Sequence, residues 1–69
     1  MTRKYEVIED GKLYPYNSFD KNREGLALAY EQAEQVLVDN PDLDSLEIQF
    51  VTYDGCDHIV ACEVVEEFV

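Results

Sequence analysis

Sixty-nine residues make one domain, near the lower limit of what folds without a metal, a disulfide or a partner. The chain is 46% apolar with five tyrosines and three phenylalanines, which sets it apart from the high-charge disordered class and predicts a packed globule. Sixteen acids against five bases give a formal charge of −11; this argues against direct binding of nucleic acid, whose phosphates draw on lysine and arginine, and against anionic membranes.

The chain holds no apolar run of the roughly 18 residues that suggest a spanning helix. The opening stretch MTRKYEVIEDGK lacks the apolar core of a secretory signal. The expectation is therefore a soluble cytoplasmic protein whose two cysteines stay reduced.

In chain order, residues 3–9 read as a strand, with Tyr5 and Val7 on one face and Glu6 and Ile8 on the other. Asp10-Gly11 signals a tight hairpin. A short second strand over 12–16 carries Pro15, which cannot donate to a ladder and so belongs at a sheet edge. The polar stretch 17–23 offers Asp20 and Asn22 as helix caps. From Glu24 to Asn40, Leu26, Tyr30, Ala33 and Leu37 recur at helical period with Ala29 and Val36 beside them, predicting an amphipathic helix that Asn40-Pro41 ends. Gly25 falls in its first turn, where a glycine costs little.

Leu46, Ile48 and Phe50 alternate with Glu47, Gln49 and Val51, so 45–53 reads as a half-buried strand. After the Asp54-Gly55 turn, 58–65 is the last strand, with Val60, Cys62 and Val64 expected to face the helix and 66–69 expected to fray. The order β-β-α-β-β predicts an α+β fold, a four-stranded antiparallel sheet packed on one face by one helix. The strand order 2-1-4-3 is expected because it leaves the proline-bearing strand at an edge.

Charge is distributed unevenly along this frame. All five bases, Arg3, Lys4, Lys12, Lys21 and Arg23, lie in the first 23 residues, and from Glu24 to Val69 twelve acids meet no lysine or arginine. Glu31 and Glu34 form a like-charge pair on the helix that costs about 0.2–0.5 kcal/mol. Asp39 opposes the helix dipole by about 0.3–1 kcal/mol, and Asp42 and Asp44 follow it. Rows of carboxylates about 7–10 Å apart can sample a phosphate ladder coarsely. They would compete with DNA for a basic groove. The bland counterpart is a solvated face that serves only solubility, which even dispersion of the carboxylates over the fold would favour.

Other groupings point to no site. Asn40-Pro-Asp42-Leu-Asp44-Ser places Ser45 where a calcium loop needs glycine and Val51 where it needs the bidentate glutamate. Asp54, Cys56, Asp57 and His58 share one turn, but only Cys62 remains as a second thiol, short of a structural zinc set. His58 and Cys56 come without an oxyanion donor, and no phosphate-binding glycine loop is present, so neither an enzyme nor a cofactor is expected. Tyr14, Tyr16 and Phe19 cluster near the bases, and Tyr53 is expected on the outer sheet face, where an aromatic can anchor a partner.

With this charge map, the chain resembles the small acidic DNA-mimicking proteins that phages and mobile elements use against host defence, of anti-CRISPR and anti-restriction type. The likeness rests on size, the base-free acidic stretch and the residues Glu24, Glu31, Glu34, Asp39, Asp42, Asp44 and Glu47, with no sequence signature. It implies a non-enzymatic inhibitor bound to the DNA-recognition groove of a basic host complex, a type I Cascade by preference, in the host cytoplasm. The near-neutral first 23 residues depart from a uniformly acidic mimic. An alternative is an acidic interaction module, such as an antitoxin or immunity protein that neutralises a basic toxin.

Overall fold

A computed structural model describes the backbone of all 69 residues and the side chains of residues 1–11 and 18–69. Strands β1 (Thr2–Glu9) and β2 (Lys12–Asp20) precede helix α1 (Arg23–Asp39), and β3 (Leu46–Tyr53) and β4 (Ile59–Glu67) follow it. They form the expected α+β fold, one four-stranded antiparallel sheet and one helix. Because β2 and β3 both pair antiparallel with β1, they run parallel to each other. The helix joining them crosses the sheet as in a split βαβ unit.

The strand order is β2-β1-β3-β4, which corrects the expected 2-1-4-3. The proline-bearing β2 does take an edge, but the other edge belongs to β4. The reason lies in burial. Leu46 and Ile48 are fully buried on the helix side of β3, while Val51, on the opposite face, is 1% exposed. A strand that buries apolar groups on both faces gains most in the interior of a sheet. All nine residues of β4 are exposed, so Val60, Cys62 and Val64 do not line the helix core as expected.

The second strand is also longer than its sequence suggests. It runs on to Asp20, and its pairing jumps from Ser18, opposite Glu6, to Leu13, opposite Ile8. The irregularity takes up the Pro15 region without ending the strand. The expected grouping of Tyr14 and Tyr16 with Phe19 involves side chains outside the described residues.

The core gathers Val7, Leu46 and Ile48 from the sheet and Ala29 and Ala33 from the helix, with Tyr5, Phe19, Leu26, Tyr30, Val36, Leu37 and Leu43 packed round them. Asn22 caps the helix, its side chain accepting from the Gly25 N–H at 2.7 Å. Gly25, Ala29 and Ala33 are the helix's buried residues and, four apart, form a line without bulk that lets the helix approach the sheet closely. At Gly25 the approach is closest, because a Cβ there would lie 1.8 Å from the Asp20 carbonyl oxygen. The glycine is required by tertiary contact. The chain end is fastened as well: the Phe68 N–H donates to the Leu46 carbonyl at 2.8 Å, and its ring meets Tyr30 edge-on at 5.7 Å. The expected fraying of 66–69 is thus replaced by strand over Glu66 and Glu67 and by a packed Phe68.

Candidate functional site

The acidic residues gather at one end of the molecule. The β1–β2 turn has Asp10 at φ 50° and Gly11 at φ 76°, the left-handed pair of a type I′ hairpin. This tip is bound to the helix–strand connection. The Asp10 carboxylate accepts from the N–H groups of Asp44 at 3.2 Å and Ser45 at 3.1 Å, and the Asp10 N–H donates to the Ser45 carbonyl at 3.0 Å. The helix arrives at the same place and ends on Asn40, whose backbone and side-chain N–H groups both donate to the Val36 carbonyl.

Glu9, Asp10, Asp39 and Asp42 consequently rim one shallow depression, with Asp44 beside it. Across the sheet, Ile8 faces Glu47, and Glu47 faces Glu67, a like-charge cross-strand pair that costs stability. Gln49 donates a hydrogen bond to Glu47. Glu66 neighbours Glu67, so eight of the sixteen acids share this end. No basic residue occupies the last helical turn.

Four of the expected site residues, Asp39, Asp42, Asp44 and Glu47, come together here. Glu31 and Glu34 lie on the adjoining outer face of the helix with Gln35 and Val38. Glu24 does not join them. It stands in the first turn, where it suits the helix dipole, about 22 Å along the axis from Asp39. Glu9, Asp10, Glu66 and Glu67 were not among the expected site residues. The Asp-Gly hairpin and the strand ends could have placed them, had the β1–β3 pairing been foreseen.

One base, Lys12, stands opposite Glu9 in the β1–β2 hairpin of the acidic end; the other four lie at the opposite end. Arg3, Lys4 and Lys21 rim a depression there with Asp20 and Asn22, and Arg23 opens the helix. The acids Asp20, Glu24, Asp54 and Asp57 balance these four bases. The molecule is thus polar from end to end, with eight acids and Lys12 at one end and four acids and four bases at the other. Among the described residues one acidic and one basic side chain come within 4.0 Å of each other, His58 Nδ1 and Asp54 Oδ2 at 3.6 Å.

Tyr53 lies on the outer sheet face, as expected, but its hydroxyl is committed inside the molecule. It donates to the carboxylate of Glu6, 2.7 and 2.6 Å from its two oxygens, and Ser18 Oγ donates to the same carboxylate at 3.0 Å. Glu6 is 2% exposed. Pairing sets Tyr53 opposite Thr2 and Glu6 opposite Gln49, so the tyrosine ring must lie along β3, across Val51, to reach its acceptor. Val51, which lies between the two on this face, is 1% exposed. Burial first, and then the hydrogen bond to Glu6 and its charge, push the Tyr53 phenol well above its ordinary value of 10.0.

The Asp54–His58 turn is organised by a side chain. The Asp54 carboxylate accepts from the backbone N–H groups of Cys56 at 2.8 Å and His58 at 3.0 Å, which supports a left-handed Asp57 at φ 61°. Cys56 is exposed there, as expected. Cys62 is exposed too, against its expected place in the core, because it lies on the sheet face away from the helix. Among the described residues no group of three or more His, Cys, Asp or Glu side chains is arranged to hold a metal ion. No helix among them is long and apolar enough to cross a membrane.

The chain matches no family model, and neither curated proteins nor solved structures give a match.

Proposed function

We propose that this protein is a non-enzymatic inhibitor that acts as a DNA mimic in the host cytoplasm, presenting its acidic end to the basic DNA-recognition groove of a host defence complex. A multisubunit CRISPR surveillance complex of Cascade type is the preferred partner, and blocked binding of target DNA is the consequence. The observation that carries the reading is the gathering of Glu9, Asp10, Asp39, Asp42, Asp44, Glu47, Glu66 and Glu67 at one end, where Lys12 is the one base, with Arg3, Lys4, Lys21 and Arg23 at the other. Clustering costs stability at the helix C-terminus and at the Glu47–Glu67 pair, and dispersal over the surface would have avoided that cost. Such an end displaces the counterions of a cationic groove as DNA does and gains a steered on-rate.

A second reading is an antitoxin or immunity protein that blocks the active site of a basic toxin. It is favoured by the compactness of the anionic end, which resembles a plug more than an extended row. Capture from nuclease-treated host lysate separates the two by the identity of the partner.

The decisive test is competition with target duplex for purified Cascade. Binding should weaken steeply as salt rises, and the variant Asp39→Lys/Asp42→Lys/Glu67→Lys should lose about tenfold or more in affinity. A control of equal charge change, Glu24→Lys/Asp54→Asn/Asp57→Lys with Glu63→Gln, should lose much less. Equal losses in both variants would reduce the effect to net charge and remove the acidic end as the site.

A further inference from the structure

The fourth strand leaves its outer edge unpaired, and this edge is unusually apolar. Among the described residues, four of the eight exposed large hydrophobics, Ile59, Val60, Val64 and Val65, are on β4. In β3 the Ser45 carbonyl accepts from Asp10 and the Leu46 carbonyl from Phe68, so odd-numbered residues of that strand bond towards β1 and even-numbered ones towards β4. Cys62 lies opposite Val51 and Val64 opposite Gln49. Both therefore direct their backbone N–H and C=O away from the sheet, where a further strand would accept them.

We propose that β4 is a homodimer interface, pairing antiparallel with β4 of a second copy about a twofold axis at Cys62. The register follows from symmetry and charge. A twofold axis perpendicular to a continuous sheet sets one residue opposite its own copy, because any one-residue slip would oppose side chains of different faces. Centring on Glu63 would oppose two carboxylates. Centring on Val64 would spend Cys62 and Ala61 on the partner's Glu66 and Glu67. Val60 and Val65 are the extra residues at two irregularities of the β3–β4 pairing, so the regular stretch is short, and centring on Cys62 brings Val60 beside the partner's Val64, Ile59 beside the partner's Val65 and His58 towards the partner's Glu66.

The same centre sets the partner's Glu63 opposite Ala61. Ala61 is small and rims a shallow depression with Arg3, Thr52 and Glu63, so the incoming carboxylate approaches a cation. The net charge of −11 on each chain opposes association, but antiparallel pairing limits that repulsion. Glu67 and the partner's Glu67 end about 30 Å apart, beyond the screening length of about 8 Å at physiological salt. Each acidic end lies instead beside the near-neutral end of its partner. One strand edge covers less than the roughly 1,600 Å² of a standard interface, so the dimer is weak and reversible.

Sedimentation velocity over a concentration series, at low and high salt, reads the interface directly. The dimer fraction should rise with concentration and rise further with salt, as screening relieves repulsion. Mild oxidation with copper–phenanthroline and air should trap a covalent dimer, since directly opposed strand residues sit about 5.5 Å apart at Cα, within disulfide reach. Cys56→Ser should keep that product and Cys62→Ser should lose it. Val60→Lys/Val64→Lys lowers the net negative charge, which favours non-specific association, and yet should hold the chain monomeric with an unchanged circular-dichroism spectrum. A monomer at every concentration in high salt, a cross-link that survives Cys62→Ser, or a folded lysine variant that dimerises as the parent does would each overturn the proposal.

Discussion

At the scale of single residues, Glu6 and Tyr53 show how a carboxylate is kept inside a protein with few cations. Water is replaced by two hydroxyl donors, Tyr53 and Ser18. Tyr53→Phe keeps the ring and deletes the stronger donor, leaving Glu6 under-satisfied; denaturant unfolding should show a loss of about 1–3 kcal/mol. The raised phenol also predicts alkaline behaviour. Deprotonation is harder folded than unfolded, so above an ordinary value of 10.0 the unfolded chain loses its proton first and stability falls as pH climbs. Below that value the contribution is fully present. Absorbance at the phenolate band should show one tyrosine titrating late and together with unfolding, and Tyr53→Phe should abolish that late step.

Among elements, the helix was the most legible and the last hairpin the least. The spacing of Leu26, Tyr30, Ala33 and Leu37 locates a helix because period 3.6 leaves one face apolar, and the observed span differs from the expected one by a single residue at each end. Composition does not reveal how near that helix comes to the sheet. Gly25 looks incidental in the sequence, yet the Asp20 carbonyl occupies the space a Cβ would need. Gly25→Ala would gain about 1 kcal/mol from helix propensity alone. The overlap with backbone should reverse this to a net loss of about 1–3 kcal/mol, measured as a lower midpoint in urea. A stabilised variant would mean that the helix start has room to shift.

For the whole molecule, end-to-end polarity has a thermodynamic consequence. Eight acids at one end repel one another, and added salt should screen that repulsion. Sodium chloride should therefore stabilise the monomer by on the order of 1 kcal/mol, a rise in Tm of about 4–8 °C for a domain of this size. The measurement belongs at low protein concentration, where association contributes nothing to Tm. The Asp39→Lys/Asp42→Lys/Glu67→Lys variant should respond less to salt than the parent. An equal response would show that the acidic end stores no particular strain.

Local rules already present in the sequence determined the element types, the two Asp-Gly turns, the apolar stripe of the helix, the edge position of the proline-bearing strand and the confinement of bases to the first 23 residues. Each depends on neighbours within a turn or a pleat. Tertiary structure alone decided that β3 would take the inner place and β4 the edge, since alternating patterns in both strands allow either order until burial on two faces is compared. That choice brought Glu47, Glu66 and Glu67 to the Asp10 turn, seated Tyr53 on Glu6 and left Cys62 on an open edge, contacts between residues far apart in the chain that no periodicity encodes.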